Sequence, residues 1–287
     1  MTEDPFVTHR GLLFTVAYEM LGSAADAEDV VQESWLRWAD VDQTGVRDPR
    51  AYLVRTVTRQ ALNRLRSVSR RREEYVGEWL PEPLLTSPDV AEDVELAENV
   101  SIAMLTVLET LGPAERAVFV LHEVFETAYD EIAEVLGKTP AAVRQIGHRA
   151  REHVAARRPR MRVDRAQQQA AVERFMAAVS TGDVQALMEV LAPDVVLIAD
   201  GGGVVTAVRK PITGVERVAR FLAHAARVPD FVATGAWLNG TLGARIDVDG
   251  VTTAVSLVVE DGRITRIYGI SNPHKLGWLE KVAELQR

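Results

Sequence analysis

Arg144, Gln145, His148 and Arg149 lie within six residues of one another, and on a helix Gln145 and His148 share a side that the two arginines flank. An amide, an imidazole and two guanidiniums on one face, with Thr139 just ahead of them, are the groups that read base edges and phosphates in a major groove. A second set, Arg55, Arg59, Asn63, Arg64 and Arg66, supplies cations and an amide suited to a nucleic-acid backbone. A third, Asp29, Gln32 and Glu33, is polar, and its two acids have little need to be buried. General acid–base chemistry is harder to assemble. Asp194, Asp230 and His224 make a dyad only if a fold is assumed, and Asp200, followed by Gly201, Gly202 and Gly203, reads as a closely approached turn rather than a buried acid. No catalytic residue is assigned. With no cysteine and six scattered histidines, neither a disulfide nor a metal site is expected, and no cofactor is implied.

Charge around these sets is segregated, which the net charge of −8 conceals. Arg47 to Arg72 contains nine arginines against Asp48 alone, and Lys138 to Arg165 nine more cations against Glu152 and Asp164. Between the two blocks, Glu73 to Glu98 holds nine acids and no base. Two basic blocks with an acidic spacer imply two phosphate-binding surfaces on one chain. At 287 residues, two or three compact units are expected. The acidic start lacks a signal-peptide core and no apolar run is long enough for a membrane span, so a cytoplasmic protein without membrane contact is the expectation.

Local rules place the sets on helices. Leu12, Leu13, Val16, Ala17, Met20 and Leu21 predict a first helix closed by Gly22, and Ser23 caps a second whose Val30, Val31, Ser34, Trp35 and Trp38 form a core face. A third runs from Pro49 to about Arg72. Trp79-Leu80-Pro81-Glu82-Pro83 then predicts an extended, poorly helical tether with one apolar anchor, before a helix over 98–110. Thr127 to Asp130 can cap a short helix ending at Leu136, Gly137 fits a left-handed cap, and Thr139-Pro140 starts another helix that buries Val143, Ile146, Gly147 and Ala150. That is a helix-turn-helix.

After Arg165 the pattern changes. Helices near 166–179 and 184–191, strands near 195–199 and 204–208, a helix near 214–226, and strands near 231–238, 243–248, 251–259 and 263–268 predict an α+β domain. Asp249-Gly250 and Asp261-Gly262 mark hairpins, and Val196, Ile198, Val255, Leu257 and Ile267 are the expected interior.

Ala27 to Trp35 resembles region 2.2 of extracytoplasmic-function RNA polymerase sigma factors, and Pro49 to Arg66 resembles their regions 2.3 and 2.4. Thr127 to Arg151 is similar to region 4. The resemblance implies that Asp29, Gln32 and Glu33 contact the clamp of the polymerase β′ subunit. It also implies that Arg55, Arg59, Asn63, Arg64 and Arg66, with the loop Asp42–Asp48, melt and hold the −10 element. Arg59 stands where the family often has asparagine. Thr139, Arg144, Gln145, His148 and Arg149 would read the −35 element, and region 4 would meet the β flap.

The C-terminal part looks like the SnoaL-like fold of the nuclear transport factor 2 superfamily. Trp79, Pro81 and Pro83, Asp200-Gly201-Gly202-Gly203, and Asn272-Pro273-His274-Lys275-Leu276 resemble signatures of the sigma subgroup with this extension, except that His274 replaces aspartate. In that subgroup the extension contacts the linker in place of a separate anti-sigma factor. The expected organisation is therefore multidomain. Two all-α sigma domains, 1–72 and 98–160, are joined by an acidic linker, 73–97, and followed by a SnoaL-like regulatory domain, 164–287. The alternative is a helix-turn-helix regulator whose C-terminal domain binds a ligand or is an enzyme.

Overall fold

The computed structural model describes residues 4–73, 75–158, 165–205 and 208–287. These form two compact units: residues up to 73 with 104–158 and 284–287 in one, and 75–103 with 165–283 in the other.

The first unit is helical. In α1 (Pro5–Leu21), Asp4 accepts from Phe6 N, and Gly22 closes the helix at φ 65°. Ser23 Oγ accepts from Asp26 N to start α2 (Ala24–Ala39), which buries Val30, Val31, Ser34 and Trp38. Trp35 departs from the expected core face. It is 46% exposed beside exposed Leu36, because the buried arc of α2 stops at Val31 and Ser34. The long α3 (Pro49–Glu73) starts with Asp48 accepting from Ala51 N and buries Leu53, Val57, Ala61, Leu62, Leu65 and Val68.

Instead of one helix over 98–110 there are two, α4 (Val94–Val100) and α5 (Ile102–Leu108), broken at extended Ser101. At the break, Asn239 Nδ2 donates to the Val100 carbonyl at 2.8 Å. Then come α6 (Pro113–Phe119), α7 (Tyr129–Leu136) and α8 (Pro140–Ala155). α7 and α8 form the helix-turn-helix, with Gly137 at φ 63° and Thr139 Oγ1 accepting from Ala142 N. The cap of α7 is Ala128, within the stretch Thr127 to Asp130 expected to cap it, and it makes no side-chain bond.

The second unit carries α9 (Arg165–Thr181), α10 (Val184–Val190) and α11 (Val215–Ala225) against a six-stranded sheet. Its strands are β1 (Leu191–Asp200), β2 (Ile212–Thr213), β3 (Val232–Leu238), β4 (Thr241–Val248), β5 (Val251–Glu260) and β6 (Arg263–Ile270). The order is β2-β1-β6-β5-β4-β3, with β1 parallel to β6 and every other pair antiparallel. Asn239-Gly240, Asp249-Gly250 and Asp261-Gly262 all have positive φ, as two-residue hairpin turns of this hand require. Among the described residues of 204–208 there is no strand. Val204 and Val205 continue the turn after Asp200, residues 206 and 207 lie outside the described residues, and β1 pairs with β2 instead.

Both faces of the sheet are covered within this unit. On one, Val195, Leu197, Val255, Leu257 and Ile267 pack with Phe175, Val179, Val218 and Leu222 of the helices. On the other, Ile198, Leu238, Ala254, Val258, Tyr268 and Ile270 meet Leu80, Ile102, Ala103 and Leu279. The expected interior positions Val196 and Ile198 therefore give way to Val195 and Leu197, and Ile198 faces residues 75–103. A strand buried on both faces reads as a continuous apolar run, so its sequence does not reveal which face is which.

Candidate functional site

On α3, Arg55, Arg59, Asn63 and Arg66 recur at helical spacing along one stripe, and Arg59, Asn63 and Arg66 are exposed. Arg64 turns toward α2, 2.6 Å from Asp26 and 2.8 Å from Asp29. The structure thus joins a candidate −10 residue to a candidate polymerase contact, while Gln32 and Glu33 are exposed beside them. Arg55 is 3.7 Å from Glu134 of α7. The loop Asp42–Asp48 contains a single short turn, in which Asp42 accepts from Thr44 N and Thr44 Oγ1. Those bonds hold the Asp42 carboxyl below its usual range.

On α8, Val143, Ile146, Gly147 and Ala150 are buried, and Arg144, Gln145, His148 and Arg149 are exposed. Thr139 is spent on the cap. Arg144 lies 3.6 Å from Asp130, Arg149 3.7 Å from Glu115, and His148 3.5 Å from Glu152. Exposed pairs of this length contribute at most about 1 kcal/mol, so phosphates can replace the acids.

In the second unit, Asp200 is 0% exposed at the end of β1, which corrects the reading of it as a turn residue rather than a buried acid. Its burial is possible because four donors surround it. Lys275 Nζ stands at 2.7 Å, Tyr75 OH at 2.6 Å, Leu80 N at 2.9 Å and Gly202 N at 3.0 Å. Lys275, 4% exposed, also donates to Leu80 O at 2.6 Å and lies 3.1 Å from the Trp79 ring centroid. Asn272 Nδ2 donates to Tyr75 OH. Burial, then the bond to Asp200, pushes the Tyr75 phenol well up. The glycines fit the same junction: a Cβ on Gly202 would collide with Asn272, and one on Gly203 would press within 3.1 Å of Val76. Pro81 and Pro83 are buried, and Pro273 and Leu276 bracket the short turn that carries Lys275. His274 contributes its main-chain N–H to Asn272, and its side chain is exposed, so the exchange for aspartate falls outside the charged cluster.

A second holdfast was not singled out from the sequence. Asn239 Oδ1 accepts from Leu84 N, its Nδ2 donates to Val100 O, and Gly240 N donates to Thr86 Oγ1. A Cβ on Gly240 would come within 2.8 Å of Ala97 Cα. The signal was present as an Asn-Gly pair between two apolar runs, the strongest short hairpin signature. Nothing local indicates that its amide also grips another segment. Residues 75–103 are thus bound to the sheet by a buried ion pair at one end and a buried amide at the other.

Among the described residues no group of three or more His, Asp or Glu could hold a metal ion, and no helix is long and apolar enough to cross a membrane.

Residues 6–71 match the Sigma-70 region 2 family, 101–154 the Sigma-70 region 4 family, and 172–267 the SnoaL-like domain family. The chain is 38% identical over 291 aligned residues to the ECF RNA polymerase sigma factor SigJ of Mycobacterium tuberculosis, covering 96% of this chain and 93% of that protein. It is 34% identical to a second protein of that organism, named "Probable ECF RNA polymerase sigma factor SigI", covering 93% and 92% respectively. The crystal structure of SigJ superposes with a TM-score of 0.76 at 36% identity, over 94% of this chain and 96% of that one.

Proposed function

The chain belongs to the extracytoplasmic-function RNA polymerase sigma factors with a C-terminal SnoaL-like domain, and from that membership we propose how its surfaces divide the work and how the extension restrains them. As a promoter-recognising sigma factor it binds core RNA polymerase and promoter DNA. Asp29, Gln32 and Glu33 of α2 contact the β′ clamp, and region 4 meets the β flap. The α3 stripe with the Asp42–Asp48 loop takes the −10 strand, and Arg144, Gln145, His148 and Arg149 read the −35 element. Sigma factors are not enzymes, and here the extension acts as a regulator rather than a catalyst, working in the cytoplasm without a separate anti-sigma factor.

The observation that carries the regulatory reading is the docking of residues 75–103 on the sheet through Asp200, Lys275 and Asn239. The two promoter elements are centred about 25 base pairs apart, which is about 85 Å of duplex at roughly 3.4 Å per base pair. A compact unit of about 130 residues is only roughly 35 Å across. Helices α3 and α8 lie in one such unit and cannot reach both elements while it stays closed. Residues 75–103 join the two halves of that unit, and fully extended they reach at most about 100 Å. Reading both elements therefore requires most of this segment to leave the sheet.

Run-off transcription with core polymerase and promoter fragments tests the assignment. Initiation that depends on the added chain is expected, and DNA binding with no polymerase-dependent initiation would move the alternative, a ligand-sensing helix-turn-helix regulator, ahead. In the same assay Gln145→Ala should change base preference at the −35 element at a cost of about 1–3 kcal/mol, since α8 keeps its buried face. An unchanged preference would make Gln145 a solvent-facing residue only.

A further inference from the structure

The helix-covered face of the sheet does not fill its own interior. A cavity of about 490 Å³ lies between the strands and α9 and α11, walled by Phe175, Phe221, Phe231 and aliphatic side chains. Folded interiors pack with few voids larger than a water molecule, whereas drug-sized ligands occupy sites of roughly 300–1,000 Å³. The space is held open by a residue that the backbone does not demand. Gly269 lines it without a positive φ, and a Cβ there would meet only Thr253 Cγ2, at 3.6 Å, and Ile198 O, at 4.0 Å. A side chain can therefore start there without a clash, and a larger one would grow into the cavity that Gly269 lines. The polar groups in the wall are few: the Thr253 and Ser271 hydroxyls, 2.8 Å apart, and Asp249. No cation lines the cavity among the described residues, so nothing there would compensate an anionic ligand.

The cavity also shares strand ends with the linker junction. Ala199 faces the cavity and Asp200 the linker; Gly269 and Ser271 face the cavity, Ile270 and Asn272 the linker side. Ser271 N donates to Asp200 O at 2.8 Å. A molecule that shifts Ser271 acts on the chain neighbour of Asn272, which binds Tyr75, and on the main-chain bond to Asp200, whose side chain binds Tyr75 and Leu80. We propose that this cavity binds an uncharged, largely aromatic or aliphatic small molecule with one hydrogen-bonding group directed at Thr253 and Ser271, and that its occupancy is transmitted to the docking of residues 75–86. The second half rests on the regulatory reading of the linker given above.

The test uses the full chain and two fluorescent probes with the same ring skeleton, neutral N-phenyl-1-naphthylamine and its anionic relative 1-anilinonaphthalene-8-sulfonate. The neutral probe should bind saturably at one site and the sulfonate at least about tenfold more weakly. Gly269→Leu should abolish binding of the neutral probe at an unchanged melting temperature. Should that variant melt early, Phe221→Ala decides the matter, because its ring is 38% exposed and lines the cavity, so truncation should weaken the probe several-fold while leaving the core intact. Probe binding that is absent, non-saturable, indifferent to the sulfonate, or unaffected by either substitution overturns the site. With the neutral probe saturating, amide exchange at Leu80 and Leu84 should change by at least about fivefold, the lower end of ordinary coupling between sites. Unchanged exchange with binding intact overturns the transmission. Neither readout needs polymerase or DNA, so failure here is separable from failure of the transcriptional reading.

Discussion

Lys275→Ala should release the linker from the sheet and destabilise the second unit by about 3–5 kcal/mol, the usual cost of removing one partner from a buried ion pair. Asp200 and Lys275 are 0% and 4% exposed, so the surviving carboxylate would have no water and no cation. Of its remaining donors, Tyr75 OH and Leu80 N both belong to the linker. Lifting residues 75–80 away is the least costly way to hydrate the carboxylate, and the same substitution removes the Lys275 bond to Leu80 O that holds them down. The Leu80 amide should therefore exchange at least about a hundredfold faster, a loosening of about 3 kcal/mol. Leu84, gripped separately by Asn239, should respond less. Asp200→Ala combined with Lys275→Ala removes both charges and should recover part of the melting temperature without restoring protection at Leu80. Transcription from a promoter with fixed spacing should rise in both variants. Protection of Leu80 that survives Lys275→Ala would remove the ion pair as the linker's anchor.

What the sequence disclosed and what it withheld divide along the distance over which each feature is decided. The helix-turn-helix is written in adjacent residues: Gly137 takes the left-handed cap, Thr139 and Pro140 open α8, and Val143 and Ile146 recur at helical spacing. The Asp-Gly hairpins are equally local. Asp200 is the opposite case. Its neighbours are three glycines, so it reads as a turn, yet it is buried by Lys275, 75 residues later, and by Leu80, 120 residues earlier. Lysine is ordinarily among the residues least often buried, and nothing beside Lys275 says otherwise. Trp35 and Trp38 show the limit of helical spacing: both fit an apolar stripe, and the three-residue step between them separates an exposed ring from a buried one. In β1 the run Val195-Val196-Leu197-Ile198 conceals its register because the linker buries the second face. The helix expected through Ser101 breaks where Asn239, well over a hundred residues away, donates to the Val100 carbonyl.

Raising the pH from 5.5 to 8.5 should destabilise the first unit, with Glu19 as the cause. Its carboxyl is fully buried on α1, and among the described residues neither oxygen has a hydrogen-bond partner. Burial pushes its pKa up to about 8 from 4.5, with Arg116 offsetting part of the rise. Arg116 is itself buried, which lowers its pKa to about 9, with the Glu19 charge offsetting part of the fall; its guanidinium lies 2.6 Å from Glu109 and donates to the Glu19 carbonyl at 2.9 Å. The folded state therefore holds a proton on Glu19 that the unfolded chain has already lost. That contribution is fully present below pH 4.5, diminishes as pH rises, and is gone once pH passes about 8. Over the tested window the loss should be a few kcal/mol, and the calorimetric melting temperature should fall by several degrees. Glu19→Gln keeps the shape and cannot ionise, so its melting curve should be nearly flat over the same range. Glu19 belongs to the region 2 segment and Arg116 to the region 4 segment, and opening the unit would let Glu19 reach water and ionise. Alkaline conditions should then favour the opened form, seen as faster α1 amide exchange beyond the intrinsic pH effect in the native chain and not in Glu19→Gln. An equal slope in the two proteins would assign the pH dependence to other groups and remove Glu19 from the account.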